Sequence, residues 1–465
     1  MLVKPFRVLV ACLVIVVSVA AAQSNHGAGA SPRYRTRTVR VTKGLTLSRM
    51  LDRVGPNRIK VLRVDPATSL TLDVALAKNQ LPGRQRTSQM ARRHDAIAAI
   101  NGTYGFPWGR PLGLFSEDGR LHTTPLFGGR AFSITRDEAV THVGAPRLRV
   151  SARVLDTGST WGIDTWNEGR PGRRQIAALT PAGTGYLKPP GWACSARLYP
   201  VGPHTWTKNR NGLTTDYVVD VARCGEGRMR PRGGTVLSAL WKGSEAHNIR
   251  ALKRKEVIRL KWSLRWTGVM DMIAGNPTLL EGGAITATNC PTSFCRRNPR
   301  TGIGVTPEGK LLLVTVDGRQ RRSVGMTPRQ FAKLFRRLGA RWALNLDGGG
   351  STTMFVKGGV VNRPSDSGGE RAVSSALLVL RGPDRREAEP RLYSEPSPPA
   401  GGIISVNTPP QIATSDGLDP AAIDPASTGG MLEALSSGAL TGEPQPLPRS
   451  LERIVHRFRA SQHRL

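Results

Sequence analysis

Apolar and polar positions alternate most cleanly between Ile258 and Trp266. Ile258, Leu260, Trp262, Leu264 and Trp266 fall on one side, and Arg259, Lys261, Ser263 and Arg265 on the other. A period of two places successive side chains on opposite faces, so this stretch predicts a strand with one buried face. The run from Ile303 to Val316, IGVTPEGKLLLVTV, predicts two strands around a Pro-Glu-Gly-Lys turn. TMFVKGGVVN, from Thr353 to Asn362, predicts a second hairpin, and VSSALLVL, from Val373 to Leu380, a closing strand. The short run Ala343 to Leu346 reads as a further strand.

The period changes where Phe331, Leu334, Phe335 and Leu338 repeat at helical intervals, with Arg329, Lys333, Arg336 and Arg337 on the opposite side. Thr327 stands where a cap is needed, Pro328 at the first helical position and Gly339 just past the end. A second helix is expected from Ser88 to Asp95, leading into the strand AIAAI at 96–100. Interspersed strands with few helices predict an α+β class, a strand-rich mixed-sheet domain.

The pattern divides the 465 residues into segments. Lys4 and Arg7 precede an apolar run from Val8 to Val19, and Ala20-Ala21-Ala22 gives a small-x-small cleavage site. Residues 1–22 are therefore expected to be a signal peptide, shorter than the ~20 apolar residues of a spanning helix. No transmembrane span is expected in the mature protein. Residues 23–41 read as a flexible basic linker, 42–95 as an N-terminal strand-rich part of the globular body, and 96–380 as its main domain. Residues 381–448 form a Pro/Gly/Ser-rich tail expected to be disordered, with no Lys or Arg from Pro396 to Pro448. Leu451, Ile454, Val455 and Phe458 give 449–465 a basic amphipathic character.

The net charge of +34 favours polyanionic partners. Export favours a phosphate-bearing glycan or cell-envelope polymer over nucleic acid, and a secreted or cell-surface location. Four cysteines remain outside the signal, and an even count in an exported chain predicts two disulfides, Cys194–Cys224 and Cys290–Cys295 on proximity. Oligomeric state is not written in the sequence.

Several chemistries are excluded. No Gly-Lys-Ser/Thr closes a phosphate loop, no Gly-x-Ser-x-Gly elbow occurs, and the histidines lack metal spacing. VLDTGSTW around Asp156 looks like half an aspartic protease, but that chemistry needs two such carboxylates, and the turn reading of Asp156 is preferred. NLDGGGSTTM, from Asn345 to Met354, is different. Three glycines let the backbone approach a ligand and turn N–H groups toward an anion. Asp347 adds a carboxylate, and Ser351, Thr352 and Thr353 add hydroxyls.

This loop sits among AIAAINGTYG (96–105), GNPTLLEGG (275–283), RNPRTGIGV (297–305), LLLVTVDGRQ (311–320), VVNRPSD (360–366) and GERAVSSALLV (369–379). The ordered set resembles the phosphodiester glycosidase family, which includes N-acetylglucosamine-1-phosphodiester α-N-acetylglucosaminidase and bacterial exopolysaccharide-type relatives. The resemblance implies cleavage of the C1–O bond of a sugar-1-phosphodiester. It places functional positions on Asn101, Gly102, Arg300, Asp317, Asn345, Asp347, Gly348, Gly349, Gly350, Ser351, Thr352, Asn362 and Arg371. Asp317 and Asp347 are the candidate carboxylates of a glycosidase pair. Arg300 and Arg371 are expected to neutralise phosphate, and Asn101 and Asn345 to fix sugar hydroxyls. Asp366 and Glu370 read as structural or rim residues. Thr103-Tyr104-Gly105, Gly275-Asn276-Pro277 and Ala372 depart from the family's common pattern. No cofactor is expected, with a divalent cation such as calcium left open. The alternative is a non-catalytic module that binds anionic glycan during polysaccharide assembly.

Overall fold

The computed structural model describes residues 33–382 except 126–128, 136–140, 169–170, 184–191 and 227–228. The expected signal peptide, most of the tail and the amphipathic terminus lie outside the described residues. The expected linker does not run to residue 41. Tyr34–Thr42 is strand β1, followed by β2, Leu45–Asp52, and β3, Asn57–Val64.

These three strands open an eight-stranded sheet. Strand β3 pairs with Leu311–Val316, which pairs with Arg300–Val305, and that strand pairs with Trp342–Asn345. The hairpin read from 303–316 is thus present and central, because both of its strands are buried along their whole length. One face of this sheet packs Ile59, Val61, Leu312 and Val314 against Phe331, Leu334 and Phe335. Those side chains come from the helix Pro328–Arg337. Thr327 caps it by accepting from Gln330 N, and Gln330 returns the bond to Thr327 N.

The other face packs Leu47, Leu62, Leu313 and Leu346 against Leu72, Val74, Ile100, Leu377 and Val379 of a five-stranded sheet. That second sheet places Ala98–Asn101 between Met354–Val356 and Ser375–Arg381, so both the predicted AIAAI strand and the closing strand are central. The helix Thr87–Arg93 covers its outer side through Met90 and Ala91. The order is helix, sheet, sheet, helix, which is the expected α+β class with strands dominant.

A nine-stranded sheet built from residues 149–263, which includes the alternating strand Val257–Ser263, shares its core with a five-stranded sheet that holds Ala131–Thr135 and Val269–Ala274. Both expected disulfides form. Cys194–Cys224 joins directly paired strand residues with a Cα–Cα distance of 3.9 Å, and Cys290–Cys295 closes a short loop. Asp156 lies exposed in the turn between two strands of this sheet, as the turn reading required. Among the described residues no helix is long and apolar enough to cross a membrane.

Candidate active site

Strands Leu311–Val316 and Trp342–Asn345 are each antiparallel to Arg300–Val305, which lies between them. They therefore run in the same direction and end on the same side of the sheet. Asp317 follows the first and Asp347 follows the second. The two strand ends are two strand spacings apart, about 10 Å. Both carboxylates are nearly buried.

Asp317 is held by two donors on Oδ1, Asn362 Nδ2 at 3.1 Å and Arg363 N at 3.0 Å. Burial pushes its pKa above the usual carboxylate range, opposed by the Arg363 amide, the Lys60 charge, the Asn362 amide and the Arg58 charge. Asn362 also accepts from Met354 N and donates to Thr352 O, so one side chain ties Asp317 to the end of the glycine loop.

Asp347 Oδ1 accepts from Gly348 N at 2.9 Å. The main chain of Asp347 is fixed at both polar atoms. Its N–H donates to Gly102 O, and its carbonyl accepts from Asn101 Nδ2 at 2.8 Å. Asn101 Oδ1 in turn accepts from Thr301 Oγ1 at 2.7 Å and Thr353 N at 3.0 Å. Asn101 thus joins the two sheets and grips both ends of the glycine loop, where the sequence had led us to expect a sugar-hydroxyl contact. Gly102 has no room for a side chain beside Ser375 and Ile273.

The loop's amides also differ from expectation. Gly349 N donates to Pro299 O, Ser351 N to Gly348 O, and Thr352 N to Gly349 O. With the Gly348 amide already on Asp347, these four N–H groups shape the loop instead of cradling an anion. Gly349 has φ +58°, a left-handed conformation that disfavours a side chain. Asn345 Oδ1, Thr352 Oγ1 and Thr353 Oγ1, all in the stretch from Asn345 to Thr353, are buried and have no hydrogen-bond partner among the described residues, so each can take a further bond. The Nδ2 of Asn345 is already occupied, donating to Asn276 O, Leu346 O and the Tyr104 hydroxyl.

Tyr104, one of the departures from the family's common pattern, supplies the hydroxyl that Asn345 Nδ2 meets. It is 2% exposed and its hydroxyl donates to Asn276 O at 2.8 Å. Burial, and then the Asp347 charge, push its pKa well above the phenol's ordinary value, so it stays protonated. Arg300 is placed differently from the expected phosphate clamp. It is fully buried, with Nε donating to Met326 O and Nη2 to Phe294 O and Arg296 O, while its guanidinium lies 4.9 Å from the Phe294 ring centroid. Carbonyls of the Cys290–Cys295 loop and a neighbouring turn take its donors.

Arg371 does reach the loop's surface. It forms a two-pronged pair with Asp366, Nε–Oδ2 at 2.6 Å and Nη2–Oδ1 at 2.9 Å, and this pair lies directly over Gly350. Glu370 turns away and accepts from Ser88 N and Oγ at the start of the helix Thr87–Arg93. Gly350→Ala is expected to push the Arg371–Asp366 pair aside. Unfolding stability should change by no more than about 1 kcal/mol, because side-chain tips can shift. Denaturant melts of the variant beside the wild type check this.

Beyond Tyr104 the chain makes a loop closed by Arg110, whose guanidinium donates to Asn167 O and Pro111 O and lies 3.3 Å from Glu168. Burial, outweighing Arg110, raises the Glu168 pKa from 4.5 to about 7. The folded protein therefore holds a proton there that the unfolded chain has lost, so stability falls as pH rises from 4.5 to about 7. Glu168→Gln is expected to flatten that slope in urea unfolding measured across the same range. Nothing in the sequence pattern singled this pair out. Among the described residues the carboxylates with metal-ligand spacing are Asp73, Asp118 and Asp271, which do not include Asp317 or Asp347.

Over 83 residues the chain is 43% identical to an SPbeta prophage-derived uncharacterized protein, YomE, of Bacillus subtilis. That stretch is 18% of this chain and only 13% of the relative's length. The fold is similar to the crystal structure of a hypothetical protein from Synechocystis, with a TM-score of 0.60 at 21% identity, covering 76% of this chain and 64% of the other. It is also similar to a Burkholderia pseudomallei protein named as exported, with a TM-score of 0.54 at 23% identity, covering 70% and 74%. Residues 210–380, the stretch that carries Asp317, the glycine loop, Asn362 and Arg371, match the sequence model of the phosphodiester glycosidase family.

Proposed function

We propose that the chain is an exported phosphodiester glycosidase that hydrolyses the C1–O bond of a sugar-1-phosphodiester in cell-envelope or exopolysaccharide material. The observation that carries this reading is that Asn345 Oδ1, Thr352 Oγ1 and Thr353 Oγ1, in the same stretch of chain as Asp347, are buried without partners among the described residues, and that Asp347 and Asp317 follow strands ending on the same side of the sheet. Three buried acceptors and donors suit the hydroxyls of a sugar ring. Asp347, its N–H held by Gly102 and its carbonyl by Asn101, attacks C1 or activates the water that does so. The phosphate leaves with the bonding electrons and is already a good leaving group, so little acid help is needed. Asp317, kept toward its neutral form by burial, supplies what proton transfer remains. Arg371 faces the departing phosphate, its charge shared with Asp366.

The test is sugar release from an α-N-acetylglucosaminyl phosphodiester and a panel of other sugar-1-phosphodiesters. Release of sugar and phosphomonoester supports the reading, and no release from any member sinks it. The second reading, a non-catalytic anionic-glycan-binding module, is favoured by one observation: Arg300 and the loop amides are turned inward, leaving fewer groups to stabilise a transition state. Binding of the same phosphodiesters without turnover would select it.

A further inference from the structure

Strands β1, β2 and β3 contribute a second feature to the face of the sheet that bears Asp317. Along that face the cross-strand rows can be followed residue by residue. Val39, Leu47, Leu62 and Leu313 make one row, and it is covered by the core between the sheets. The next row is Arg37, Arg49, Lys60 and Thr315. The row after it is Arg35, Leu51 and Arg58, and it ends on Asp317, whose N–H donates to Arg58 O. The face therefore leaves the core after the row from Val39 to Leu313, and its outer strands carry a basic surface whose inner end is the buried Thr315 and Asp317.

Three cations stand directly opposite one another in adjacent strands, at spacings of about 4.8 Å. Like charges in that arrangement destabilise a sheet. Arg35, Arg37, Arg49 and Arg58 are exposed, and among the described residues none of the ion pairs involves them or Lys60. From within the protein the Asp317 charge offsets it at Lys60 and Arg58, but does not offset it between Arg37 and Arg49. A row of anions laid along the strands' cross direction would.

We infer that the Arg37–Arg49–Lys60 row, flanked by Arg35 and Arg58, is a track for a polymer with repeating phosphates, delivering one of its sugar–phosphate linkages to Asp317 and Asp347. This rests on the glycosidase reading of the site and narrows its substrate to a phosphate-repeating glycan rather than a single isolated phosphodiester. The track lies wholly outside residues 210–380, so it is a property of this chain's N-terminal strands.

The test measures binding of a short linear polyphosphate as a function of salt, for the wild type, Arg37→Gln/Arg49→Gln, and a control, Arg329→Gln/Lys333→Gln, on the exposed side of the helix Pro328–Arg337. The track variant is expected to bind about tenfold more weakly at low salt, with a shallower salt dependence as fewer counterions are released. It should melt no lower than the wild type, because removing opposed like charges does not cost stability. The control should bind as the wild type does. Polyphosphate should also compete with a small sugar-1-phosphodiester in the wild type and less so in the track variant. Unchanged polyphosphate affinity in the track variant, or an equal loss in the control, would overturn the track. The binding arm needs no turnover, so a failure of the glycosidase reading shows up separately, as absent sugar release with the binding difference intact.

Discussion

Asp347→Asn is expected to lower kcat for sugar release by about 10²–10⁴-fold, the range removed when a positioned carboxylate loses its chemistry. The substitution keeps the shape of the side chain and an oxygen for the Gly348 amide, so the loop should hold its conformation. KM and thermal stability should therefore change little, separating chemistry from folding. The comparison with Asp317→Asn is informative. Asp317 is biased toward its neutral form, and an amide copies a neutral carboxyl in all but the proton it can give. Its loss should cost less in kcat, with the difference widening as the leaving group is made poorer. Equal turnover by Asp347→Asn and wild type would move the chemistry to another residue.

Arg300→Ala is expected to lower the unfolding free energy by about 3–5 kcal/mol, because carbonyls of Phe294, Arg296 and Met326 lose their donor in a dry environment. Arg300→Lys should recover only part of this, since an ammonium cannot reproduce the planar fork or its stacking on Phe294. Denaturant unfolding reads the loss directly. Kinetics on the folded fraction supply the second half of the argument. With Arg300 as an internal brace, KM for the phosphodiester should stay within a few-fold of wild type, whereas a phosphate-clamping arginine would raise it steeply.

The outcome at Arg300 also shows where sequence reading runs short. Periodicity sufficed for the helix Pro328–Arg337, for the hairpin around Thr306–Lys310 and for the strand Val257–Ser263, because each is dictated by neighbours three or four residues away, or two. Of the positions named by motif order, Asn362 meets Asp317 and Arg371 lies over Gly350. What could not be read was the direction each side chain takes. An arginine at the start of a strand looks the same in the chain whether it faces a ligand or the carbonyls of a loop closed by Cys290–Cys295. Asn101 likewise gave no sign that its amide joins Thr301, Thr353 and Asp347, contacts 200 to 252 residues distant. Tyr104 and the Arg110–Glu168 pair were missed for the same reason, being defined by burial and long-range partners. The basic row was visible only as scattered charge until the register of β1, β2 and β3 aligned it.

The way β3 lies against Leu311–Val316 has a bearing on how this protein can be divided. The stretch that matches the phosphodiester glycosidase family starts near residue 210, yet its central strand depends for one whole edge on residues 57–64, and Ser375–Arg381 depends on Leu70–Leu76 and Ala98–Asn101 for both of its edges. A fragment cut to the matched boundaries would present at least three unpaired strand edges and would lack the asparagine that fastens the glycine loop. The stretch in which a family signature is recognised is thus not a unit of folding here, and a portion of the chain able to build the site takes in β3, Leu70–Leu76 and Ala98–Asn101 as well as the closing strand.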